Sequence, residues 1–192
     1  PLHRAVPIRR FTAVTFQSVS GTGRAAIDEL DCQARAWAAG EFIENSVYPR
    51  QIAFNVLPQI GGPKADMPGY TSEEAKMLFE SRKILDAPGL RASATCVRVP
   101  VFYAHSIALN LEFTAPMPPA KAREILAASP GIRVMDDLAG GVFPTPLDAQ
   151  EADDILVGRV RTDPSVENGL ALWVVGDNIR KGAAQNAVQI AE

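Results

Sequence analysis

His105 is one of two histidines in the chain, and an imidazole is the side chain best suited to acid–base chemistry near neutrality. It closes the segment Phe102-Tyr103-Ala104-His105, between two stretches that alternate like strands. Arg98 stands seven residues earlier, among Val97, Val99 and Val101. A guanidinium in such an apolar run is costly to bury unless an anion meets it. That anion is either a carboxylate of the protein or a carboxylate of a ligand, which the planar fork of Arg suits. Glu73 and Lys76, three apart, share one face of an expected helix, where the plain reading is an exposed ion pair. A nucleophilic Cys wants a helix N-terminus or a cationic neighbour and some exposure. Cys96 sits inside an expected strand and reads as a small buried apolar residue, and Cys32 lies on a helix between Asp31 and Gln33. There is no His/Cys cluster with zinc-like spacing, no phosphate loop ending in Gly-Lys-Ser/Thr and no G-x-S-x-G elbow, so no metal is expected.

Gly21-Thr22-Gly23-Arg24-Ala25-Ala26 fits G-x-G-x-x-A, between an expected strand and an expected helix. A dinucleotide fingerprint also needs a parallel strand within about 30 residues, ending in an acidic residue. Glu41 and Glu44 have no strand signal before them. The remaining readings are a turn that approaches a ligand or a neighbouring domain, and a plain helix start.

The elements that must position these groups follow from periodicity. Arg9–Ser18 is rich in β-branched and aromatic residues and predicts a strand. Arg24–Ala39 predicts a helix with Ala26, Ile27, Leu30, Ala34 and Trp37 on its apolar side. Residues 49–68 are loop-like around the short apolar piece 52–56. Ser72–Leu85 predicts a helix capped by Thr71 or Ser72, with Glu73 and Glu74 in the first turn. Strands are expected at Arg91–Val101, Ser106–Thr114, Ile132–Met135, Ile155–Thr162 and Gly169–Val175, and helices at Pro119–Ala128 and Asn178–Glu192. The order lacks strict βαβ alternation. The expected fold class is α+β, or mixed α/β, with one main mixed sheet and helices on one face.

At 192 residues the chain is one domain, or a core plus appendages. A net charge of −3 gives no basic surplus for nucleic acid, and no apolar run approaches the length of a membrane span. Two cysteines cannot form a disulfide framework, so a cytoplasmic protein is expected. The chain opens Pro1-Leu2-His3-Arg4 and closes in a helical pattern at Glu192, which suggests a piece of a longer protein.

Seven blocks, in order, resemble the C-terminal part of the aspartate-β-semialdehyde dehydrogenase family. They are Phe16 to Gly23 (FQSVSGTG), Ala53 to Gly61 (AFNVLPQIG), Glu73 to Met77 (EEAKM), Ser93 to Ser106 (SATCVRVPVFYAHS), Pro144 to Pro146, Val157 to Arg161 (VGRVR), and Ser165 to Leu170 (SVENGL) running on to Asp177 to Ala184 (DNIRKGAA). The likeness spans Pro1 to Glu192. It implies a glyceraldehyde-3-phosphate-dehydrogenase-like catalytic and dimerisation domain over residues 1–177, and a C-terminal helix over 178–192 that docks on an N-terminal NADP-binding domain absent from this chain. It implies a homodimer paired through the sheet. The reaction implied is reduction of β-aspartyl phosphate with NADPH to aspartate semialdehyde and phosphate, through a cysteine thioester. That step lies on the way to lysine, threonine and methionine.

By the same resemblance His105 is the acid/base group, with a pKa near neutrality. Gln17 sits beside the nucleophile and orients substrate, Arg98 holds the substrate carboxylate, Glu73 faces its amino group and Lys76 binds phosphate. Ser20, Gly21 and Asn178 touch NADP. The family's nucleophilic Cys belongs shortly before Pro1, on a helix whose tail is Pro1-Leu2-His3-Arg4. Neither Cys32 nor Cys96 matches it, so this chain alone is expected to be inactive. The competing readings are a related acyl-phosphate reductase, such as N-acetyl-γ-glutamyl-phosphate reductase, and a stand-alone dimerisation or binding module without chemistry.

Overall fold

A computed structural model describes residues 1–191, with the side chains of all but 185, 186 and 189. The order is α1 (Leu2–Ala5), β1 (Ile8–Gln17), a 3-10 turn (Val19–Thr22), α2 (Arg24–Ala39), α3 (Ser72–Ile84), β2 (Arg91–Arg98), β3 (His105–Phe113), α4 (Pro119–Ala127), β4 (Ile132–Val134), α5 (Pro146–Ala149), β5 (Ile155–Thr162), β6 (Gly169–Gly176), a π-helical turn (Arg180–Ala184) and α6 (Gln185–Ala191). The strands form one six-stranded mixed sheet in the order β2-β1-β3-β6-β5-β4. β1 runs parallel to β2, β4 runs parallel to β5, and the other pairs are antiparallel.

Alternation along the strands sorts the sheet into two faces. Phe11 and Ala13 of β1 lie in register with Leu111 and Leu109 of β3, which pair onward with Leu170 and Leu172 of β6. This face forms the main core, together with Leu2 of α1, Met77 of α3, and Ala122 and Leu126 of α4. The opposite face carries Val14, Phe16, Ala108 and Trp173. Val14 is 38% exposed, and the Phe16 and Trp173 rings meet at 5.4 Å. The short α5 lies against its β6 end, where Ala149 joins Leu156, Val175 and Ala104 in a small cluster. β2 ends the sheet, and its free edge is covered. The Cys96 N–H donates to Glu74 Oε1, and Leu57 exchanges both backbone hydrogen bonds with Arg98. Those contacts satisfy an edge that would otherwise template another chain.

Several expectations are corrected. The strand expected over Arg91–Val101 stops at Arg98, because the chain turns before Pro100, which has no N–H for a ladder. His105 opens β3, opposite Gly176 of β6, and does not end the turn before it. α2 has the expected span, but its buried face is Ala26, Glu29, Leu30 and Gln33, whereas Trp37 is 60% exposed and meets the Phe54 ring at a tilt. The last helix does not begin at Asn178. Asp177 accepts the Ile179 and Arg180 N–H groups and so caps a π-helical turn that precedes α6. Glu192, the expected end of that helix, lies outside the described residues.

Candidate functional site

Six segments meet at the C-terminal ends of β1 and β2. Gln17 and Arg98, the last residues of those strands, are direct cross-strand partners. Thr71 and Glu74 form a reciprocal capping box that fixes the start of α3. This places Glu73 so that Gln17 Nε2 donates to Glu73 Oε1 at 3.3 Å, and Lys76 Nζ reaches Glu73 Oε2 at 3.2 Å. Lys76 is more than half exposed, so the ion pair expected from the spacing is present at the rim of the site.

Gly21 links the two strongest groups. A Cβ built on it would lie 3.1 Å from Arg98 Nη1 and 3.2 Å from His105 Nε2, so both side chains press on the bare backbone of the turn. His105 is anchored at its other nitrogen, where Nδ1 accepts the Ser18 N–H at 3.1 Å. The Ser18, Ser20 and Asn178 side chains form a connected set behind the imidazole, each within 3.2 Å of the next. His105, Gln17, Arg98, Glu73, Lys76, Ser20, Gly21 and Asn178 are therefore joined by direct contacts, although β1, the 3-10 turn, α3, β2, β3 and the C-terminal segment supply them separately.

The electrostatics depart from expectation at one point. Burial, and then the Arg98 guanidinium, push His105 down to about 4, in place of a value near neutrality. Arg98 is buried, and burial lowers its pKa, though at neutral pH it stays charged. Its Nη1 donates to the Ser18 carbonyl at 2.5 Å, and its Nε has no protein partner. The Gln17 Oε1 is likewise buried without a partner. An unpaired donor on a buried cation beside an unpaired acceptor is costly unless a ligand meets both. Arg98 also lines a cleft of about 720 Å³, together with Thr22, Tyr48, Arg50, Leu57 and Gly61. Among the described residues no cluster suits a metal. Cys96 is buried and burial pushes its thiol up, away from nucleophilic character.

The G-x-G-x-x-A segment is not a dinucleotide fingerprint. The strand parallel to β1 does follow, but it starts only at Arg91 and ends in Arg98, where the fingerprint needs an acid. Gly21 serves a turn that approaches Arg98 and His105.

Sequence reasoning missed the loop that walls the cleft and the pair that holds it. Glu29 accepts the N–H groups of Ser46, Val47 and Tyr48, and Gln33 accepts those of Ile52 and Ala53. Two polar residues at i,i+4 on the apolar side of α2 were the available signal. Ser18, fully buried behind His105, gave none.

Residues 1–181 match the family model described as the semialdehyde dehydrogenase dimerisation domain. The chain belongs to that family. Curated relatives of this dimerisation domain include the aspartate-semialdehyde dehydrogenases of Aquifex aeolicus and Synechocystis, each 47% identical across the whole chain. The dimerisation domain spans about half of them, 56% of each. Aspartate semialdehyde dehydrogenase II of Vibrio cholerae, solved as a complex with ASA, superposes on all of this chain with a TM-score of 0.95 at 46% identity, again over 56% of its own length. The Pseudomonas aeruginosa structure described as a probable aspartate-semialdehyde dehydrogenase follows at 0.91 and 33%.

Proposed function

We propose that this dimerisation domain carries the substrate-binding and acid–base half of an NADP-dependent aspartate-semialdehyde dehydrogenase. The reaction is reduction of β-aspartyl phosphate to aspartate semialdehyde and phosphate, a cytoplasmic step toward lysine, threonine and methionine. One observation carries the reading: a buried Arg98 with an unpaired Nε, cross-strand partner of Gln17, which reaches Glu73, and facing Gly21 together with His105.

In this reading Arg98 binds the substrate carboxylate, because a buried guanidinium without an ion pair is a site for an anion. Glu73 faces the amino group, and Gln17 bridges Glu73 to the reacting carbonyl. Lys76, on the exposed rim, takes the phosphate end. Two cationic ends hold an acyl phosphate in line for attack, which lowers the entropic part of the barrier. His105 serves the acyl group from the Gly21 side. The attacking thiolate comes from a residue outside this sequence, since Cys96 is buried in the sheet and Cys32 is on α2.

NADP supplies the hydride when bound. The exposed turn at Gly21–Gly23 fits its nicotinamide end, because a side chain at Gly21 would fill the space against His105 and Arg98. Ser20, Gly21 and Asn178 would hold that end, and the dinucleotide-binding domain would precede Pro1. The partner in solution is a second copy, paired through the sheet face that carries Val14, Phe16, Ala108 and Trp173.

In the full-length enzyme His105→Ala should cut kcat by about 10²-fold or more with little change in KM. Arg98→Leu should lose both, since it removes binding and positioning. Unchanged turnover in both variants would end the assignment. Assay of β-aspartyl phosphate against N-acetyl-γ-glutamyl phosphate separates this reading from the related reductase. Absence of reductase activity in the full-length protein would leave a dimerisation module.

A further inference from the structure

Cys96 and Arg98 are two apart on β2, and both send their N–H groups off the free edge of that strand. Each meets a segment that leads to Glu73. The Arg98 N–H donates to the Leu57 carbonyl at 2.9 Å. From Leu57 the chain runs to the start of α3, where the Gly62 carbonyl accepts the Ser72 N–H at 2.8 Å. Gly61 has φ +78, and a Cβ there would run into Ser72 Oγ, so this strap passes the helix start as bare backbone. The Cys96 N–H donates to Glu74 Oε1 at 3.2 Å. The other oxygen of that carboxylate, Oε2, accepts the Thr71 N–H at 2.9 Å in the capping box. One carboxylate thus holds its own helix start with one oxygen and the sheet edge with the other. Consecutive helix residues do not share a face, so Glu74 does this while Glu73 meets Gln17.

We propose that Glu74 is a positioning residue that sets the spacing between Glu73 and Arg98, and through it the selection of an acyl phosphate with a free amino group beside its carboxylate. Glu74 touches no substrate in this role, because both of its oxygens are occupied by backbone donors. Glu73 belongs to the first turn that Glu74 fixes, and Arg98 follows the anchored Cys96 by two residues. The strap from Leu57 to Gly62 closes the same frame on its other side. The amino and carboxylate groups of the ligand share one carbon, so they tolerate little drift between the acid and the guanidinium that hold them. A loosened frame leaves each group present but misplaced, which lowers affinity for the amino-bearing ligand before it affects the chemistry. The choice of substrate rests on the active-site reading above, whereas the tether between α3 and β2 does not.

The test compares β-aspartyl phosphate with succinyl phosphate, the same acyl phosphate without the amino group, in the full-length enzyme. Glu74→Ala should raise KM for β-aspartyl phosphate by about tenfold and leave kcat within about threefold, since it displaces a binding group and not the reacting ones. KM for succinyl phosphate should stay within about twofold, because that ligand brings no amino group to Glu73. The preference between the two substrates therefore narrows. Glu74→Gln keeps one acceptor oxygen for two donors, so it should fall between parent and Ala, and it remains informative if the Ala variant does not fold. Thr71→Ala removes the hydroxyl of the cap and keeps the tether to Cys96, so it should lower stability without narrowing the preference. An unchanged preference in the folded Glu74 variants would overturn the proposal, as would an equal narrowing in Thr71→Ala. In this chain alone, hydrogen exchange at the Cys96 amide should quicken by about tenfold in Glu74→Ala, and unchanged exchange would refute the tether. Failure of the two readings is distinguishable. If Arg98→Leu abolishes turnover while the Glu74 variants keep the preference, this proposal falls and the site stands. If Arg98→Leu and Glu73→Ala both keep full turnover and preference, the site itself falls.

Discussion

A single residue here can be judged by what its environment withholds. His105 titrates at about 4 in the fold against 6.5 in a free chain, because burial and Arg98 oppose the imidazolium. Between those values the unfolded chain binds a proton that the folded one refuses. Stability therefore falls as pH drops from about 6.5 toward about 4, and is intact above that window. Replacing His105 by Gln should remove this part of the acid sensitivity. Urea midpoints at pH 7 and pH 5 check it: the loss between the two should be smaller in the variant by about 1–2 kcal/mol. Equal losses would mean that the ring is not held neutral. Arg98 makes the complementary case. It is buried, forms no ion pair among the described residues and leaves Nε unpaired. Arg98→Met should leave thermal stability within about 1 kcal/mol of the parent or raise it, since apolar replacement of a buried charge is often neutral or stabilising. The same change should abolish substrate binding in the full-length enzyme. A large loss of stability would identify Arg98 as structural instead.

Whole elements are placed by a few polar residues that local pattern does not announce. α2 touches no strand closely; it rests on the 3-10 turn and the loop after it, through Val19, Ala26, Leu30, Ile52, Ala53 and Leu57. The loop stays on the helix because Glu29 and Gln33, both buried, accept five of its backbone N–H groups between them. Glu29→Ala leaves three partly buried backbone donors without their acceptor and should cost about 1–3 kcal/mol in chemical denaturation. It should also raise KM in the full-length enzyme, because Tyr48 and Arg50 wall the cleft beside Arg98. A cost below about 0.5 kcal/mol would show that the loop is held by its apolar residues alone. α3 was legible except for its cap, which the sequence left between Thr71 and Ser72 and which the reciprocal box of Thr71 with Glu74 decides.

For the molecule as a whole, the two faces of the sheet have different fates. One is covered by α1, α3 and α4 over a continuous core. The other leaves Val14 and the Phe16–Trp173 pair partly open. That inequality agrees with a domain whose family is named for dimerisation. Val14→Lys would place a charge at the centre of that face, and sedimentation should then show a shift from dimer toward monomer. An unchanged dimer would move the interface elsewhere.

Periodicity, caps and turn residues determined the strands and most helices, with limits within a residue or two except at the end of β2 and the start of α6, because those features act over a few neighbours. Seven ordered blocks determined the family, because many short matches in sequence order are far more specific than one motif. Tertiary structure decided the rest. Trp37 lies outside because Glu29 and Gln33 took the inner face of α2, and burial of a carboxylate depends on backbone donors that arrive from residues 46–48. The parallel partner of β1 comes from beyond two helices, so the glycine turn opens onto Arg98 and His105 in place of a pyrophosphate. The state of His105 follows from burial and from Arg98 on another strand, and a pKa is a property of surroundings that only folding assembles.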